Sequence, residues 1–185
     1  MIDGVIKNAE DKMLKTTEVL RKEYASMRAG RANPSILEKV MVEYYGSQTP
    51  ISQVANISIP ESRLIVIQPW DKTSIPAIEK AIMKSDIGLT PSSDGIVIRL
   101  AIPQLTQERR LELVKMAKKK AEDARVAVRN IRRDANDEIK KSEKAEHFSE
   151  DEGKRAQEEI QKVTDKYIKL TDDILYKKEE EVMEV

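Results

Sequence analysis

TQERRLELVKMAKKKAEDARVAVRNIRRDANDEIK, residues 106–140, reads as one long helix. Leu113, Ala117, Ala121, Ala124, Val128, Ile131, Ala135 and Ile139 recur at helical spacing, laying one apolar stripe along it, and Thr106 is placed to cap its start. Two further segments share the period. Residues 2–27 carry Ile2, Ile6, Ala9, Met13, Leu20, Tyr24 and Met27 on one side, and Gly30 and Pro34 stop them. After a break at His147-Phe148, Ser149-Glu150-Asp151-Glu152 has the S-x-x-E form of a capping box. It opens a third helix with a seam at Ala156, Ile160, Val163, Tyr167, Leu170 and Ile174. Helices of this length reach about 50 Å at 1.5 Å per residue and become stable by burying their stripes. The arrangement predicted is an elongated antiparallel three-helix bundle.

Between residues 31 and 103 the texture changes to β-branched runs punctuated by turn residues. Strands are predicted at 37–45, 57–59, 64–67 and 96–100, with a turn at 46–50 and a hairpin turn at Asp94-Gly95. Ser74 is placed to cap a helix that tolerates Pro76 in its first turn, buries Ile78, Ala81 and Ile82, and ends at Gly88. The fold class is therefore α+β in two domains. Residues 1–29 and 105–185 form the discontinuous bundle, and 31–103 form a small inserted β/α/β unit. The connectors near 29–31 and 103–106 are hinge candidates: Ala29, Gly30, Arg31, Gln104, Leu105 and Thr106. Gly30 supplies backbone freedom there, while Pro34 and Pro103 stiffen the approach.

Aromatics make up only 4% of the chain, with one Trp and one Phe, so large aromatic cores are excluded in favour of long, surface-rich helices. Trp70 and the Tyr44-Tyr45 pair read as core or edge residues of the insert. Lys and Arg total 33, as do Asp and Glu, so any nucleic-acid site must be a local patch. The absence of cysteine excludes disulfides and thiol chemistry. The first residues lack the pattern of a signal peptide, and no run approaches the roughly 20 apolar residues of a membrane span, so a cytoplasmic protein without membrane attachment is expected.

At about 100° per residue, Lys118, Arg125, Arg129, Arg132 and Lys140 share one sector of the second helix beside its apolar stripe, with Arg133 at the edge. Asp123, Asp134, Asp137 and Glu138 fall largely elsewhere, whereas i,i+4 pairing would have interleaved the signs. Such a stripe is either a solvated face or a grip for a phosphate backbone, in which each contact releases counterions. No aromatics interleave the arginines, so recognition would be of shape and phosphate. Arg28 and Arg31 at the connector, and Arg109 and Arg110 at the start of the helix, are placed to extend the patch. Catalysis finds little support: His147 is the sole histidine, sits in a turn and has no paired nucleophile. No metal-ligand spacing and no phosphate-cradling glycine loop is present, so no cofactor is expected. The residues alone leave two other readings open, a helical adaptor or chaperone that binds a protein through an apolar seam and, third, an enzyme of unusual type.

RAGRANP at 28–34, VEYYG at 42–46, SDIGLTP at 85–91, LTQERR at 105–110 and RVAVRNIRRDAND at 125–137 resemble the bacterial ribosome recycling factor family in order and spacing. The likeness spans nearly the whole chain, and the last motif is its most specific part. It implies an L-shaped, tRNA-like protein, a monomer and not an enzyme. Such a factor binds the post-termination ribosome between the subunits. With elongation factor G and GTP it separates them, laying its bundle on large-subunit ribosomal RNA. By this likeness Arg132 and Arg129 are the foremost contacts, and Arg110, Arg133, Arg28 and Arg31 are secondary ones.

Overall fold

A computed structural model describes residues 2–27 and 30–184. In chain order its main elements are α1 (Ile2–Ser26), β1 (Met41–Tyr44), β2 (Ser47–Pro50), α2 (Ile51–Val54), β3 (Ala55–Glu61) and β4 (Leu64–Pro69). Then follow α3 (Ile75–Lys84), β5 (Ser92–Ser93), β6 (Ile98–Ala101), α4 (Gln107–Lys144) and α5 (Glu150–Met183). The chain divides into two compact units, Met1–Ala29 with Gln107–Val185, and Gly30–Thr106. The fold class is the α+β architecture expected, long helices beside a small antiparallel sheet unit.

In the helical unit, Val5 and Ala9 of α1 cluster with Ala135 and Ile139 of α4 and with Ala156 and Ile160 of α5. The next layer is Met13, Val128 and Tyr167. As α1 advances, its α4 partners run backwards and its α5 partners forwards, so α4 is antiparallel to both other helices. The seam of α5 departs from expectation. Val163 and Leu170 are only half-buried, and the buried line passes through Thr164 and Thr171. Their hydroxyls donate to the carbonyls of Ile160 (2.7 Å) and Tyr167 (2.8 Å) four residues back, so a threonine fills a β-branched core position with its polar atom satisfied. Thr17, buried in α1, likewise bonds its own helix, donating to the Leu14 carbonyl three residues back (2.7 Å).

Two buried cations tie down helix ends. The Arg110 guanidinium donates to the carbonyls of Val182 (3.3 Å) and Glu184 (2.8 Å) at the end of α5. The Lys178 ammonium donates to the carbonyl of Met27 just past α1 (3.1 Å) and pairs with Glu181 (3.4 Å). Both place positive charge on carbonyls that a helix end leaves unpaired. The α4–α5 junction closes with a Schellman pattern, in which the amide of His147 donates to the carbonyl of Ser142 and that of Glu146 to Glu143 (both 3.0 Å). This requires a left-handed residue at Glu146 (φ 58°), where a side chain costs about 1–2 kcal/mol. Glu146→Gly is therefore expected to raise the unfolding free energy by about 1 kcal/mol, read as a shift of the urea midpoint with unchanged slope. Ser149 caps α5 as expected, its hydroxyl accepting the Glu152 amide (3.2 Å).

The inserted unit has a hairpin, β1–β2, and a four-stranded antiparallel sheet in the order β3-β4-β6-β5. Ile65 and Ile67 of β4, and Ile98 and Leu100 of β6, point by alternation into a core shared with Val42 and with Ile78 of α3. The expected strand at 37–45 begins later, because Asn33 accepts the Ser35 amide (2.9 Å) and Pro34 presets helical φ, making Pro34–Leu37 a 3₁₀ turn. The expected turn at 46–50 is tighter. Tyr45 (φ 48°) and Gly46 (φ 81°) make a two-residue turn of the kind that matches strand twist, which frees Ser47–Pro50 to pair with Met41–Tyr44. Ser74 does not cap α3. Its hydroxyl donates to the Asp71 carbonyl (2.6 Å), and Asp71 caps the preceding 3₁₀ turn by accepting the Thr73 amide (2.9 Å). The helix ends at Lys84, before Gly88.

Asp94-Gly95 makes the turn between β5 and β6. The Asp94 carboxylate accepts the amides of Val97 and Ile96 and the Arg99 guanidinium, all at 2.9 Å, and these bonds hold its pKa well below the usual carboxylate range. Trp70 and Tyr45 lie outside the core, 67% and 81% exposed, with the Tyr45 hydroxyl donating to Asp71 (2.9 Å). At the connector, Gly30 has φ 74°, and a β-carbon there would stand 2.9 Å from Leu105 Cγ, so the two passages of chain approach as closely as glycine permits. Ala29 lies outside the described residues. Arg31 is exposed, while Gln104, Leu105 and Thr106 lead into α4 without regular structure.

Candidate nucleic-acid interface

The basic face of α4 runs beside α5, and the two helices together sort its cations into those engaged and those available. Arg125 is engaged. Its side chain is 19% exposed and bonds to Asp172 of α5 (2.8 Å) and Glu122 one turn back (2.9 Å). Burial works against its charge, but the bonds to Asp172 and Glu122 outweigh it and raise its pKa. Arg110 is buried and used on the carbonyls at the end of α5, so neither it nor Arg125 offers an open guanidinium.

One turn beyond Arg125 the pattern changes. Arg129, Arg132, Arg133 and Lys140 line a shallow open depression with Asn136 of α4 and Gln161 of α5. Asp137 is the one acidic residue of its wall. Helical spacing explains the grouping, since residues three and four apart share a face and α5 supplies the opposite side. Arg132 is held by a neutral group, its Nη1 reaching Gln161 Oε1 at 3.4 Å, while Gln161 donates to Asp165 at 2.8 Å. The contact is long and with a neutral group, so it leaves the guanidinium un-neutralised. Arg129 stands 3.7 Å from Glu122 and Arg133 3.9 Å from Asp134, both exposed pairs longer than a charge-assisted hydrogen bond. Exposed pairs of this kind are worth about 0–1 kcal/mol, and an incoming phosphate displaces them readily.

Lys118 is exposed on α4, eleven residues before Arg129, about 16 Å away along the axis at 1.5 Å per residue. Arg31 belongs to the other compact unit, and Arg28 lies outside the described residues. The sequence reading missed Gln161 and Asp165, an i,i+4 pair on α5 that a reading confined to α4 does not weigh, and Asn136, a neutral residue among charges. His147 lies exposed in the α4–α5 turn. Among the described residues no group of three or more His, Asp or Glu is placed to hold a metal ion, and no helix is long and apolar enough to cross a membrane.

The profile of the family described as ribosome recycling factor matches residues 20–183. Ribosome-recycling factors of Heliobacterium modesticaldum and Carboxydothermus hydrogenoformans are 66% and 64% identical over 185 residues, covering all of this chain and all of each relative. A solution structure of the ribosome recycling factor aligns with 47% identity and a TM-score of 0.76, covering 100% of this chain and 98% of that one. A second alignment, at 46% identity and a TM-score of 0.62 over 99% of both chains, is with a model set. Those models hold the T. thermophilus ribosome recycling factor and the E. coli elongation factor G bound to the E. coli post-termination complex.

Proposed function

Since this chain belongs to the ribosome recycling factor family, a family of non-enzymatic translation factors, we propose that it binds the post-termination ribosome through the α4 depression. Together with elongation factor G and GTP it then promotes separation of the subunits. The ligand of the depression is large-subunit ribosomal RNA, the compartment is the cytoplasm, and the acting species is a monomer. The observation that carries this reading is the state of Arg132, in long contact with the neutral Gln161 and lining a depression shared with Arg129, Arg133 and Lys140. A cation already matched to a carboxylate gains little from a phosphate; one in contact with an amide gains a charge-assisted bond. Lys118, Arg31 and Arg28 are proposed as outlying contacts that add charge without setting position. The connectors at 29–31 and 103–106 act as the hinge about which the insert turns during splitting. The relatedness to a protein placed beside elongation factor G on a post-termination complex supports the partnership.

Arg132→Ala is expected to fold normally and to weaken binding to large ribosomal subunits by about 1.5–3 kcal/mol, the range for hydrogen bonds to charged groups. Loss of one phosphate contact also flattens the plot of log affinity against log salt by somewhat less than one unit of slope. Pelleting with purified large subunits across a salt series measures both quantities. Unchanged affinity and slope would remove the depression from the binding surface.

A further inference from the structure

In the wall of the depression Asn136 stands apart from its neighbours: its residue is half-buried, yet its Oδ1 is sealed from solvent and accepts no hydrogen bond among the described residues. A buried acceptor without a donor is uncommon in folded proteins and costs stability in the free state. Arg132 and Lys140 lie four residues to either side of it on the same helix face, and Arg133 lies three residues before it. A neutral acceptor ringed by cations is poorly matched to a phosphate, which brings only acceptors of its own. It is matched to a donor that arrives attached to phosphates. The ribose 2′-hydroxyl is that donor, and it is the group by which a protein tells RNA from DNA.

We propose that Asn136 is the specificity-determining residue of the α4 depression, accepting a hydrogen bond from a ribose 2′-hydroxyl whose flanking phosphates are held by Arg132 and Lys140. Asn136 lines the depression, and the broad, roughly two-fold terminal torsion of an asparagine lets the amide turn over and present its oxygen as the ligand enters. This rests on the depression being the RNA-binding surface, and the experiment separates the two ideas.

The measurements are affinity for purified large ribosomal subunits, competition by an RNA duplex and by the DNA duplex of the same sequence, and the melting temperature of the free protein. Asn136→Leu, which removes the orphaned acceptor, is expected to melt no lower than the parent and to bind subunits about five- to tenfold more weakly, the scale of one neutral hydrogen bond. Its salt slope is unchanged, because no counterion is released at a neutral side chain. Its preference for RNA over DNA disappears, whereas Asn136→Asp, which keeps an acceptor there, binds both duplexes less well and retains the ratio. An Asn136→Leu variant that keeps parental affinity, or that loses RNA and DNA binding equally, overturns the assignment. If Arg132→Ala still weakens binding in that case, only the role of Asn136 fails; if the parent protein does not bind subunits even at low salt, the RNA-binding reading itself fails.

Discussion

The variant carrying both Arg129→Glu and Arg132→Glu is expected to bind large ribosomal subunits at least about a thousandfold more weakly than the parent. Each guanidinium on a phosphate is worth about 1.5–3 kcal/mol, and each new carboxylate adds repulsion from the same phosphate. Two lost contacts also flatten the salt dependence by about 1.5 units of slope. The fold tolerates the change, because both side chains lie outside the apolar stripe and glutamate is a good helix former. The control is Arg125→Ala, which breaks the links to Asp172 and Glu122 and so alters stability, but removes no cation of the depression; it frees Glu122 beside Arg129, and the slope is expected to change by well under one unit. Should the double variant stay within about threefold of the parent between 50 and 200 mM salt, a span over which phosphate-binding proteins normally lose orders of magnitude, the grip lies elsewhere.

That the basic face divides into structural and available cations follows from α5, and a reading of α4 alone does not reach it. Helical spacing puts Arg125, Arg129 and Arg132 in one sector. What separates them is that α5 presents Asp172 to the first and Gln161 to the third. The pairing partners are 47 and 29 residues away in sequence, so local charge patterning carries no trace of them. Arg110 is the same lesson in stronger form: basic, at the start of a helix and next to Arg109, it reads as surface, yet it serves carbonyls 72 and 74 residues on.

The fold was more legible, and unevenly so. Burial stamps its period directly on α4, where Leu113, Ala117, Ala121, Val128 and Ile139 are all buried as their spacing predicts. On α5 the same rule mistook Val163 and Leu170 for the seam, because it ranks side chains by polarity. A threonine that bonds its own helix carbonyl behaves in the core as a valine does. In the insert some boundaries are governed by one or two side-chain hydrogen bonds, Asn33 to Ser35 and Asp71 to Thr73, or by left-handed backbone at a non-glycine, Tyr45, while the short elements Ser47–Pro50, Ile51–Val54 and Ser92–Ser93 are not expected from the sequence at all. Hydrophobic periodicity does not report such features. They shift an element by a few residues, and at Tyr45-Gly46 they turn the expected turn into the strand that pairs with β1.

Alkaline pH should weaken the bundle in part through Tyr24. Tyr24 is 4% exposed, and its hydroxyl donates to the Ala117 carbonyl at 2.6 Å, joining α1 to α4. Burial, opposed by Arg125 and reinforced by Glu179 and Glu23, pushes its pKa from 10.0 up to about 12. A folded-state value above the unfolded one means that the folded chain holds this proton more tightly. The stabilisation is complete below pH 10 and is lost as pH rises from 10 toward 12. At about 1.4 kcal/mol per pH unit the loss comes to about 3 kcal/mol. Tyr24→Phe starts lower at neutral pH, by about 1 kcal/mol for the missing hydrogen bond, but carries no such dependence. Because every other titrating group is common to both proteins, the difference between their urea-unfolding free energies isolates this one. It is expected to favour the parent at neutral pH, vanish on the way up and favour the phenylalanine variant near pH 12. Parallel curves without a crossing would mean that the tyrosinate is solvated in the folded protein, and that the α1–α4 seam opens at this layer.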